Sequence, residues 1–104
     1  MKSKKNSIRL PYVICRCRDA GVHAGELVSD TPKGIVLANS RRLWYWTGAA
    51  TLSELAVYGS KNPSGCKFPP EVTEIKLRAS DVCEIIYCQP AGEKMIRECQ
   101  VWRA

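Results

Sequence analysis

The sequence predicts an α+β fold, an antiparallel β-sheet of about five strands with two short helices, on three observations. Five stretches carry the alternation or the β-branched and aromatic composition of strands: YVICRCR, the segment after Gly21, IVLANSRRLWYW, VTEIKL and VCEIIYC. Helix signals occur twice, at Thr51 and in the final AGEKMIRECQVW. The links between the first three strands are too short for crossovers, so these strands pair as hairpins.

In YVICRCR, Val13, Cys15 and Cys17 fall on one face, and Tyr12, Ile14, Arg16 and Arg18 on the other. Asp19, Ala20 and Gly21 make a turn, after which the chain returns as a second strand to about Val28. SDTPKG is the next turn cluster, and the third strand runs through to Trp46 with a break near Asn39 and Ser40. Thr51-Leu52-Ser53-Glu54 is a capping box, in which the threonine accepts from the Glu54 backbone and the carboxylate reaches back. Leu52, Leu55 and Ala56 form the apolar stripe of that helix, and Gly59 closes it in a left-handed cap. SKNPSGCKFPPE is irregular, because three prolines and a glycine punctuate it. Two more strands follow, then a terminal helix with Met95, Ile96 and Cys99 facing in and Trp102 as an anchor.

At 104 residues the chain forms one domain, residues 11–104, behind a basic disordered tail, residues 1–10. The net charge of +6 is concentrated in that tail. Lys2, Lys4, Lys5 and Arg9 stand there without an acid, and the rest of the chain holds 12 basic against 10 acidic side chains. Such a tail is a route to nucleic acid, though most are simply solvated ends. No apolar run approaches the roughly 20 residues of a membrane span, and no signal-peptide h-region follows the basic start, so the expected location is cytoplasmic, with no membrane partner. The six cysteines lack the close C-x-x-C pairs of a zinc site and the oxidising compartment of a disulfide framework, so they are expected to be reduced thiols, with no metal and no cofactor.

Motifs for catalysis are missing: there is no G-x-S-x-G, no P-loop and no H-E-x-x-H, and the one histidine, His23, lies between glycine-flanked turns. A non-enzymatic binding module is the better expectation. SRRLWYWTG carries the most chemistry. Extended, it sets Arg42, Trp44 and Trp46 on one face and Arg41, Leu43 and Tyr45 on the other. One reading makes a face of it core, with its arginine reaching out at the rim. The other lets a guanidinium take phosphate while an indole stacks on a base. Trp46 and Leu43 are expected in the core, and Arg41, Arg42 and Trp44 on the working surface. Lys67 and Phe68 repeat the cation–aromatic pair in the proline-rich loop.

AGVHAG, NSRRLWYWTGAATLSELA, CKFPPEV and EIIYC, in this order, resemble the small proteins of unknown function carried by many bacteriophages, over Tyr12 to Trp102. More narrowly, the length, the element order and the arginine and phenylalanine placement are similar to the phage anti-Thoeris sponges. That resemblance implies a homo-oligomer that sequesters cyclic ADP-ribose isomers made by host defence enzymes without degrading them. It implies Arg42 and Phe68 as motif positions, with Arg41, Trp44 and Lys67 as neighbours. For the cyclic-oligonucleotide site of some members, only Arg97 and Arg103 are candidates. Two alternatives stand beside this one: a nucleic-acid-binding module, and a protein inhibitor docking on a host enzyme through the aromatic strand.

Overall fold

A computed structural model describes residues 9–104, so the tail expected over residues 1–10 lies, except for Arg9 and Leu10, outside the described residues. Strands β1 (Tyr12–Cys17), β2 (Val22–Thr31) and β3 (Gly34–Arg42) precede helix α1 (Leu52–Tyr58) and a single 3-10 turn at Pro63–Gly65. Strands β4 (Val72–Leu77) and β5 (Val82–Tyr87) and helix α2 (Pro90–Glu98) follow. All strand pairs are antiparallel, in the order β4-β3-β2-β1-β5, giving the α+β class with one five-stranded sheet.

That order constrains the sheet's shape. β4 and β5 are its outer strands, yet they are consecutive in the chain. In a flat sheet they would lie four spacings apart, about 19 Å. The link from Leu77 to Val82 spans at most about 18 Å fully stretched, and it is not stretched, because the Asp81 N–H donates to the Arg78 carbonyl at 3.0 Å. The sheet must curl until its two edges approach at this end. A cluster of side chains from all five strands fills the concave side: Val13, Cys15 and Cys17, Leu27, Ile35 and Leu37, Leu77, with Ile75, Val82 and Ile85 packed on it. No helix residue takes part, so the sheet covers this core by itself. Asp81 also clasps the closed end, its carboxylate accepting from the Asp19 and Ala20 backbone N–H groups at 2.8 and 2.9 Å. Those bonds hold its carboxyl below the usual range.

Curling is helped by irregularities. The register shifts between Ala24 and Glu26, opposite Asn39, whose φ is 49°, and again between Leu27 and Ser29, opposite Leu37 and Val36. Gly25 permits this approach: a Cβ there would lie 3.1 Å from the Ala38 carbonyl oxygen and from the Leu37 Cβ.

The convex side carries the helices. Tyr12, Ile14, Ala24 and Leu43 pack on Leu52, Leu55 and Ala56 of α1 and on Ile96 and Cys99 at the end of α2. The capping box is present with a one-residue offset: Thr51 Oγ1 accepts from the Glu54 N–H at 3.1 Å, while the Glu54 carboxylate takes the N–H of Ala50 rather than that of Thr51. Gly59 ends α1 at φ 77°, donating to the Leu55 carbonyl at 2.9 Å. α2 is shorter than the sequence suggests. It stops at Glu98, after which the Trp102 N–H bonds to the Phe68 carbonyl at 3.0 Å and Val101 bridges Phe68. No helix among the described residues is long and apolar enough to cross a membrane.

Helices α1 and α2 meet backbone to backbone at Gly92, where a Cβ would lie 2.0 Å from the Ala56 carbonyl oxygen. Alanine favours a helix interior over glycine by up to about 1 kcal/mol. Here the sign reverses: Gly92→Ala should cost about 1–3 kcal/mol through overpacking, read as a lower urea midpoint with unchanged slope.

Candidate functional site

The third strand ends at Arg42, four residues before the predicted end. The Leu43 N–H still reaches back to the Val22 carbonyl at 2.9 Å, but the chain then leaves the sheet and Tyr45 forms an isolated bridge with Lys67. The expected alternation therefore holds through Trp44 and fails beyond it. Arg41 and Leu43 point inward, Arg42 and Trp44 outward; Tyr45 is then exposed, and Trp46 is half-buried against the helix-side core.

Arg41 lies in the interior, 2% exposed, and not on the surface where the sequence reading put it. Its Nε donates to the Pro69 carbonyl at 3.0 Å and its Nη1 to those of Ile96 and Cys99, both at 2.8 Å. Nη2 donates to the carbonyls of Phe68 and Gln100 at 2.6 and 3.3 Å. The five N–H donors of a guanidinium are thus matched by five backbone acceptors. Phe68 is fully buried in the helix-side core, its ring centroid 5.6 Å from the Arg41 guanidinium carbon. Both side chains are shut off from a ligand at the surface. Buried arginines of this kind have no signal in a single sequence, because the acceptors are main-chain atoms some 27 to 59 residues away.

Arg42 and Trp44 are the predicted site residues that meet at the surface. A recess of about 280 Å³ is lined by both, with Trp46, Leu43 and the turn Asp19–Val22. The Arg42 Nη1 donates to the Ala20 carbonyl at 2.9 Å, which positions the guanidinium while leaving most of its donors at the surface. Gly21, at φ 89°, lies under it; a Cβ there would come within 3.3 Å of the Arg42 Nη1. Trp44 is 62% exposed. Asp19, exposed on the same rim, adds a carboxylate acceptor.

His23 lies beneath Arg42 and is almost fully buried. Its Nε2 bonds the same Ala20 carbonyl at 2.9 Å; a carbonyl only accepts, so Nε2 carries the proton. Burial pushes the imidazole below its ordinary pKa and the Arg42 charge acts in the same direction, against a partial opposing effect of the Ala20 bond. A neutral, packed histidine serves the fold here.

Lys67 occupies a second place. It pairs with Tyr45 through two backbone hydrogen bonds, and its ammonium lies between two rings, 5.7 Å from the Tyr45 centroid and 5.6 Å from that of Trp102. Sequence reading passed over Tyr45 and Trp102 here, since only the bridge and the end of α2 bring them to Lys67.

A recess of about 580 Å³ between Arg9–Tyr12 and α2 contains a charged network that is already paired. Arg97 bonds Glu26 at 2.9 Å and Glu93 at 2.8 Å, Arg9 bonds Glu93, and the Arg97 guanidinium lies 4.5 Å from the Tyr12 ring centroid. Arg97 is thus committed to these partners, and Arg103 is exposed near the end of the chain. Four of the thiols, Cys15, Cys17, Cys66 and Cys99, are buried, and burial raises Cys15 and Cys88 to about 12, which keeps them protonated and poor as nucleophiles or ligands.

The model of one family, described as a domain of unknown function (DUF6948), matches residues 10–96, which includes every strand and most of α2. No curated protein and no solved structure matches the chain.

Two outcomes are expected. Replacing Arg41 by methionine keeps an apolar stem but leaves five carbonyls unsatisfied, and should cost about 3 kcal/mol or more in chemical denaturation, far above the effect of Arg42→Met at the surface. The His23 folded pKa lies below its unfolded value of 6.5, so the unfolded chain binds the extra proton first. Its contribution is therefore full above that value and lost as the pH falls below it. Denaturation midpoints measured from neutral pH to about pH 5 should decline, and His23→Gln should remove part of the decline.

Proposed function

The chain belongs to this family, DUF6948, and from the pairing of Arg42 with Trp44 we propose that it is a binding protein, not an enzyme, that retains a nucleotide-derived signal without degrading it. The observation that carries this reading is a mostly unspent guanidinium beside a largely exposed indole on one shallow recess. In it, Arg42 takes the phosphate through charge-assisted hydrogen bonds, Trp44 stacks on the base, and Asp19 accepts from a ribose hydroxyl. Retention needs no general base, which accords with a histidine committed to the fold.

In its finer form the proposal is a phage counter-defence sponge. It acts in the cytoplasm of the host cell as a homo-oligomer and takes up a cyclic ADP-ribose isomer or a cyclic oligonucleotide. The likeness of the length, the element order and the arginine and phenylalanine placement to the anti-Thoeris sponges supports this form. Of the two motif positions that likeness implies, Arg42 carries the proposal, and Phe68 acts from the core by packing under Arg41.

The cluster of Lys67 with Tyr45 and Trp102 favours one second reading, a protein inhibitor docking on a host enzyme. Exposed Tyr45 with a lysine held between rings is the kind of anchor that interfaces use.

Incubation of the purified protein with cyclic ADP-ribose isomers and cyclic di- and trinucleotides, followed by heat denaturation and mass spectrometry, should release one of them intact. Arg42→Ala should weaken that ligand by roughly tenfold to a hundredfold in calorimetry, the loss of a charge-assisted hydrogen bond, with an unchanged melting temperature. Unaltered affinity would overturn the assignment, and an empty supernatant with stoichiometric capture of one host protein would favour the second reading.

A further inference from the structure

Curling brings β4 and β5 together at one end without joining them: among the described residues no ladder connects the two, so each keeps an unpaired edge. Unpaired edges are templates for another strand, and proteins commonly blunt them with charge. β5 fits that description. Its one charged residue, Glu84, is already paired with Arg16 at 2.8 Å, and two copies meeting at Glu84 would oppose like charges.

β4 is different. Its sequence VTEIKL places Glu74 and Lys76, both exposed, on either side of Ile75. In an antiparallel pairing of two β4 strands about Ile75, each Glu74 stands opposite the other copy's Lys76, and Thr73 opposite Leu77. Directly opposed residues share a face, so both ion pairs form on the outer side, while the two Ile75 side chains meet on the other. Ile75 is only half-buried at the rim of the concave core, and a partner's Ile75 would extend that core. A two-fold axis satisfies every one of these contacts at once, as an isologous interface requires.

The geometry points to a second copy of this chain as the occupant of the β4 edge, in an antiparallel homodimer centred on Ile75 and specified by the reciprocal Glu74–Lys76 pairs. Charge complementarity commits the edge to its own copy, since a generic strand would meet a glutamate and a lysine in fixed order. Lys76 shares a recess with Asp19 and Ile75 shares another with Arg42, but Glu74, Ile75 and Lys76 make none of the ligand contacts proposed above, so this inference rests on the β4 edge alone and stands whether or not the nucleotide reading does.

Sedimentation velocity of the full chain tests it. Wild type should be a dimer. Glu74→Lys and Lys76→Glu, each replacing two attractive pairs by two repulsive ones, should weaken dimerisation about tenfold or more. The double variant Glu74→Lys with Lys76→Glu, self-complementary again, should restore it. Both positions are exposed, and equal melting temperatures of the variants in the monomer range would confirm that the fold is kept. A monomeric wild type, a dimer indifferent to the single reversals, or a double variant that stays monomeric would overturn the proposal.

Discussion

Five backbone carbonyls converge on the guanidinium of Arg41, and three separate parts of the chain are fixed by that one side chain. It leaves β3 at the end of the sheet, spans the Phe68–Pro69 segment and reaches the last turn of α2 and the two residues after it. Helix C-termini leave carbonyls without intrahelical partners and carry a partial negative charge, so a cation there answers both needs. Among the described residues no carboxylate bonds to Arg41, so its hydrogen bonds are all to the main chain. Because Phe68 lies beside it and Phe68 bridges Val101, the terminal segment, the proline-rich loop and the helix-side core settle as one unit.

This anchoring explains why adjacent arginines have opposite fates. Arg41 faces in because strand alternation puts it on the helix side with Leu43, and Arg42 must then face out. Outward, Arg42 meets the Asp19–Gly21 turn, itself held by Asp81 at the closed end of the curled sheet. The candidate recess is thus built on the two constraints that shape the domain: a buried arginine that ends β3, and a short β4–β5 link that curls the sheet. Trp44 is displayed at the place where the chain departs from the sheet and no strand remains to cover it.

Much of the local structure was legible. The order of strands and helices, the shared face of Val13, Cys15 and Cys17, the Thr51 cap and the inward stripe of Leu52, Leu55 and Ala56 all follow from rules acting within a few residues. The errors are of another kind. The third strand was carried on to Trp46 because its composition stays β-like, whereas pairing is lost after Arg42 when β2 begins at Val22 and offers no further partner. Helix α2 is expected past Glu98 because Met95, Ile96 and Cys99 share an inward face, whereas Arg41 takes the Ile96 carbonyl that the Gln100 N–H would use to continue it.

By itself, then, the sequence determined the class, the element order, which strand faces are apolar, and that the Arg–aromatic segment is where side-chain chemistry concentrates. Tertiary structure decided which of those residues a ligand can touch. Arg41 and Phe68 are drawn inside and Arg42 and Trp44 left outside, while Lys67 goes to Tyr45 and Trp102. The reason is physical. Periodicity and capping are encoded in neighbouring residues, but a guanidinium's acceptors and a sheet's curl depend on main-chain atoms brought together from distant parts of the chain, and those carry no side-chain signature.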